Sequence, residues 1–138
     1  MKLSKVFFGL TGCLLAASLN GCVVVADSGR GSGLGSITVD LTIDHTNHPS
    51  ICDDPAVLAD EIDWTLVDDR GRTVKGVTTD CGVFLVTFDD VPEGFYSVEI
   101  SLADRGATVS DTLVLDDIRV IEDTDIRVPG DFPLALID

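Results

Sequence analysis

The chain has 138 residues, with 24 Asp and Glu against nine Lys and Arg, and a formal charge of −15. So acidic a chain is repelled by phosphate backbones and anionic headgroups, which excludes nucleic acid as a partner and a lipid surface held by charge alone. Acid content this high can accompany disorder, but the dense Val, Ile, Leu and Phe from Ile37 onwards supply a core, and the length fits one domain.

In chain order, Met1 to Lys5 carry two lysines, Val6 to Leu19 form an apolar run, and Leu19-Asn20-Gly21-Cys22 follow. A basic start, an apolar middle and small residues near the end are the layout of a secretory signal. Leu-Asn-Gly-Cys resembles the lipobox of bacterial lipoproteins. The resemblance implies that residues 1–21 are removed and that Cys22 is lipidated as the new first residue. Leu10-Thr11-Gly12-Cys13 fits the short pattern too. Cleavage there would leave about seven apolar residues, the bottom of the usual range. Cys22 is therefore the preferred anchor and Cys13 the alternative. An uncleaved membrane helix needs about 20 apolar residues, more than Val6 to Leu19 provide.

The lipoprotein resemblance implies a diacylglyceryl group and often an amide-linked chain; two or more acyl chains hold stably where one is reversible. Val23 is not Asp, which by the sorting tendency of such lipoproteins implies an outer-membrane anchor, on the periplasmic or cell-surface side. Without residues 1–21 the chain keeps seven basic residues against 24 acids, a charge of −17.

With Cys13 removed and Cys22 lipidated, Cys52 and Cys81 remain in a compartment that permits disulfides. A bridge between them is the expected use. Metal ligation with His45 and His48, near Asp44, Asp53 and Asp54, is the rival use, although His-x-x-His here lacks helical context.

Residues 22–35, with Gly and Ser dominant from Ser28, read as a flexible tether. The folded domain is expected over residues 36–138. Ser36 to Asp44 alternates, with Ile37, Val39, Leu41 and Ile43 on one face. His45 to Asp60 is the long irregular stretch, with a short helix expected at Pro55 to Asp60. Glu61 to Asp68 puts Ile62, Trp64 and Leu66 on one face, and Asp68-Asp69-Arg70-Gly71 reads as a hairpin turn. Arg72 to Thr79 reads as an edge strand, guarded by Lys75.

Gly82 to Asp89 is apolar on both faces and reads as a central buried strand. Asp90 to Gly94 is a turn, and Phe95 to Asp104 alternates with Tyr96, Val98, Ile100 and Leu102 inward. Arg105-Gly106 makes another tight turn. Ala107 to Leu115, Ile118 to Glu122 and Thr124 to Val128 are the last strands, with Pro129 and Pro133 ending regular pairing. Strands at this spacing predict an all-β fold, an antiparallel β-sandwich of seven or eight strands, Ig-like or prealbumin-like.

Phe88-Asp-Asp-Val-Pro-Glu-Gly-Phe-Tyr-Ser-Val98 resembles the Leu-x-x-(Leu/Val)-Pro-x-Gly-x-Tyr-x-Val signature of carboxypeptidase-regulatory-like, prealbumin-like and related Cna-type domains. The match spans about eleven residues and speaks to fold, not activity. Pro92 and Gly94 would build the turn and Tyr96 would enter the core. Cna-type domains often carry Lys–Asn cross-links. The lysine and asparagine left after cleavage, Lys75 and Asn47, do not sit where such a link forms.

Acidic doublets at Asp53-Asp54, Asp68-Asp69, Asp89-Asp90 and Asp116-Asp117 supply hard oxygen ligands of the kind Ca²⁺ takes, without the spacing of a dedicated Ca²⁺ loop. No Gly-x-Ser-x-Gly elbow is present, and both histidines fall in one loop. The sequence thus points to a non-enzymatic structural or interaction module on a lipid anchor, needing no cofactor, with an envelope protein as partner. A Ca²⁺- or carbohydrate-binding module using the acidic loops or Trp64 is the alternative. An enzyme ranks third.

Overall fold

A computed structural model describes residues 33–137. The expected signal segment, Cys13, Cys22 and the expected tether as far as Ser32 lie outside the described residues; the last tether residues, Leu34 and Gly35, instead pair with Pro92 and Val91, so the folded domain begins before Ser36.

Alternating apolar residues build eight strands: β1 (Leu34–Ile43), β2 (Glu61–Asp68), β3 (Thr73–Asp80), β4 (Leu85–Pro92), β5 (Gly94–Asp104), β6 (Ala107–Thr108), β7 (Leu113–Val120) and β8 (Asp125–Phe132). They form two sheets. One has the order β4-β1-β8; the other runs β3-β2-β5-β6, with β7 continuing beside β5. Ile37, Val39, Leu41 and Ile43 of β1 pack with Ile62, Trp64 and Leu66 of β2 and Val98, Ile100 and Leu102 of β5 in one buried cluster. Burying each such side chain contributes roughly 1.5–3 kcal/mol relative to exposure, which makes this cluster the main stabilising element.

The β-sandwich expectation holds, with one parallel pair inside it. β1 and β8 run parallel from Ser36 opposite Asp125 to Ile43 opposite Phe132; the other pairings are antiparallel. Pro129 does not end pairing but sits within β8, opposite Asp40. An edge strand tolerates it, because a missing N–H on the outer side costs no ladder bond.

β2 matches its expected bounds, and β5 begins one residue early. The Asp68 to Gly71 turn closes the β2–β3 hairpin, with Gly71 at φ 77° and its N–H donating to the Asp68 carbonyl at 3.0 Å. Arg105 and Gly106 both have positive φ, 53° and 80°, as a two-residue hairpin of matching twist requires. β3 is an edge, as expected. Lys75 Nζ, however, is drawn to the backbone carbonyl of Asp89 on β4.

Four further expectations are corrected. The apolar run from Gly82 to Asp89 is not a central strand. β4 begins at Leu85 and is a sheet edge. Phe84, Val86 and Phe88 are buried, while Leu85 is 50% exposed. The expected turn at Asp90 to Gly94 shrinks to Glu93, because β4 and β5 belong to different sheets and the chain only crosses between them. The short helix falls at Pro49–Asp53 as a 3-10 turn, not at Pro55 to Asp60. Pro49 starts it, and the His48 side chain accepts from Ser50 N.

Finally, the expected strand over Ala107 to Leu115 is split. Ser110 Oγ accepts the Leu102 N–H at 2.8 Å, and Asp111 N turns away to the Leu136 carbonyl. A side chain thus replaces a ladder acceptor and breaks the strand. Pairing resumes at Leu113 and continues through Asp116-Asp117, which form a bulge in β7 with Asp117 at φ 59°.

Candidate functional site

Cys52 and Cys81 are joined in a disulfide across 29 residues. Cys81 directly follows β3, so the bridge ties the irregular loop to the end of that strand. Two backbone bonds accompany it, Cys81 N to Asp60 O and Ala59 N to Cys52 O. Val57 and Ala59 of the loop are buried against the core cluster. This bonding takes both cysteines out of the metal-ligand reading.

The histidines are engaged separately. Asp44 and His45 form a tight turn at φ 48° and 66°, across which Ile43 and Thr46 exchange both backbone bonds. The His45 side chain is 84% exposed, with Nδ1 2.8 Å from Asp131 Oδ2. Burial raises the Asp131 carboxyl, but the Thr42 hydroxyl, the His45 N–H and the His45 ring outweigh it and hold the group below its ordinary value. His48 Nδ1 lies 2.8 Å from Ser50 Oγ. This Ser–His contact lies on the exposed loop, and the described contacts give His48 no carboxylate to orient it.

Trp64 is 1% exposed and donates from Nε1 to Thr79 Oγ1 at 2.9 Å. It is a core residue with its polar atom satisfied and offers no sugar platform. Lys75 is on β3, and Asn47 is exposed in the loop after β1.

The acidic doublets divide. Asp53-Asp54 closes the 3-10 turn beside the disulfide, where Asp54 Oδ1 accepts from Ala56 N. Asp89-Asp90 lies on β4, with Asp90 at φ 54°. Asp116-Asp117 at the β7 bulge and Asp68-Asp69 at the hairpin do converge, lining one open cleft with Phe95, Tyr96 and Ser97. Asp68 is held below the ordinary carboxylate value, first by the Arg72 backbone N–H, with further help from the Arg70 N–H and the Arg72 guanidinium, against opposing desolvation. Among the described residues, no three His, Cys, Asp or Glu side chains form a group able to hold a metal ion.

Tyr96 enters the core as expected, and its hydroxyl donates to the Pro92 carbonyl at 2.8 Å, bracing the crossing between sheets. Phe95 is the residue that the sequence reading passed over. It stands 58% exposed, and the Arg119 guanidinium lies 5.9 Å from its ring centre. The signal was present: if Tyr96, Val98 and Ile100 point inward, strand alternation sends Phe95 outward.

No helix among the described residues is long and apolar enough to cross a membrane. No family model matches the chain, and no curated protein does either. Solved structures similar to it include the following two. The Bacillus anthracis TIE protein is 16% identical, with a TM-score of 0.43, over 72% of this chain and 17% of that one. A DUF1812 protein from Bacteroides thetaiotaomicron, provisionally described as polysaccharide-binding, is 9% identical, with a TM-score of 0.38, over 68% of this chain and 46% of that one. The chain thus spans less than half the length of either.

Proposed function

We propose that this chain is an exported lipoprotein, anchored through Cys22 at the outer membrane, whose β-sandwich serves as a non-enzymatic interaction module of the cell envelope. The observation that carries the reading is the Cys52–Cys81 disulfide. It uses the two cysteines left once the signal segment is removed and Cys22 is acylated, and such bonds persist outside the reducing cytosol. The separately engaged, exposed histidines support a role in binding over one in catalysis.

The sandwich is of the carboxypeptidase-regulatory-like or prealbumin-like kind. Phe88 to Val98 supports that assignment, with Tyr96 tied back to Pro92. Labelling with radioactive palmitate tests the anchor. Wild type and Cys13→Ala should incorporate label, and Cys22→Ala should not. Label retained in Cys22→Ala would overturn the assignment.

A further inference from the structure

The outer face of the five-stranded sheet carries an apolar ridge. Phe95 stands out of phase with the buried side of β5 and separates two open clefts. One, of about 240 Å³, is lined by Asp68, Asp69, Tyr96, Ser97, Asp116 and Asp117. The other, of about 270 Å³, includes Glu93, Arg119 and Ile121, and Ile121 is 45% exposed. An exposed aromatic ring beside an exposed aliphatic side chain is the kind of pair that anchors protein interfaces.

Charge selects what such a surface receives. Asp68 is paired with Arg72 at 2.9 Å, whereas Asp69, Asp116 and Asp117 have no ion-pair partner among the described residues. Arg119 over the Phe95 ring shows that the ring already accepts a cation. The Tyr96 phenol is pushed up by burial first and then by the charges of Asp68 and Asp69, so the cleft floor is at negative potential.

We propose that this face docks a cationic segment of a partner protein. A Lys or Arg enters between Asp68-Asp69 and Asp116-Asp117, while a neighbouring apolar side chain lies on Phe95 and Ile121. The inference rests on the reading of the chain as an interaction module and names its partner's chemistry. A second copy of this chain would meet its own carboxylates.

The test is fluorescence anisotropy with the full chain in detergent micelles and a labelled peptide of alternating lysine and phenylalanine at about 0.15 M salt, where long-range attraction is screened beyond roughly 8 Å. Phe95→Ala should weaken binding about tenfold, an interface hot-spot loss, with an unchanged melting curve. Asp116→Asn with Asp117→Asn should weaken it severalfold, and Asp53→Asn with Asp54→Asn should leave it unchanged. Equal losses from the two neutralised doublets would overturn the proposal in favour of diffuse attraction. Full binding by Phe95→Ala would also overturn it, as would displacement of the peptide by millimolar Ca²⁺ or dimerisation lost in Phe95→Ala. None of these outcomes bears on palmitate labelling, so the anchor and the docking face fail separately.

Discussion

The two ends of the sandwich treat apolar side chains in opposite ways. At the end where β1 passes into β2, the loop lays Val57 and Ala59 on the core and is bonded to the end of β3 through Cys52 and Cys81. At the other end, where β2 turns into β3 and β5 begins, Phe95 and Ile121 stay exposed near Asp69, Asp116 and Asp117, which have no ion-pair partner among the described residues. A domain of about 100 residues has a net stability of only some 5–15 kcal/mol. One end is closed in a way that serves this stability; the other leaves apolar surface free, which serves contact under the docking proposal.

Three experiments break or sharpen that contrast. The largest effect is expected from the two aromatic residues compared directly. Trp64→Ala should cost about 3–5 kcal/mol, as truncation of large buried rings does, whereas Phe95→Ala should stay within about 0.5 kcal/mol, as an exposed site does. Urea unfolding of both variants reads the difference, and equal losses would mean that Phe95 is structural. Next, Cys52→Ala with Cys81→Ala should lower stability by about 3.5 kcal/mol, the loop-entropy value for a loop of this size, with the slope in urea checked for a changed unfolded state. A loss below about 0.5 kcal/mol would show that the loop is held by Val57 and Ala59 alone.

The smallest effect concerns Asp131. Its folded carboxyl lies below the ordinary value of 3.8, so it adds stability above that pH, and the addition is lost as pH falls through the lower folded value. Asp131→Asn should therefore melt slightly below wild type near neutral pH, with the gap closing as the pH falls below the ordinary carboxylate value. Acid also relieves the self-repulsion of so negative a chain, so the readout is the difference between the two proteins at each pH. A gap that is constant with pH would contradict the Thr42 and His45 contacts.

Local signals made much of this fold legible. The alternation of Ile62, Trp64 and Leu66 placed β2 to the residue, and Asp68 to Gly71 named its hairpin through one glycine with positive φ. The cysteine pair followed from compartment and count. What stayed hidden depended on distant partners. Val83 to Phe88 is apolar on both faces wherever it sits, and only pairing with β1 alone makes β4 an edge. Asp116-Asp117 reads as a turn until its register against Tyr96 and Val98 reveals a bulge. Likewise, nothing local in Asp125 to Phe132 announces a parallel partner 89 residues earlier, at Ser36 opposite Asp125. The candidate site was legible in its parts, since all four doublets were visible, but which two share a cleft is set by the β2, β5 and β7 registers.

The central claim joins export to the staple, and both can be read in one spectrum. Native protein should be extracted from membranes, alkylated without reductant and weighed intact. The predicted result is a chain beginning at an acylated Cys22, with Cys52 and Cys81 inaccessible to the reagent until reduced. A mass that retains Met1 and carries alkyl groups on both later cysteines would contradict it.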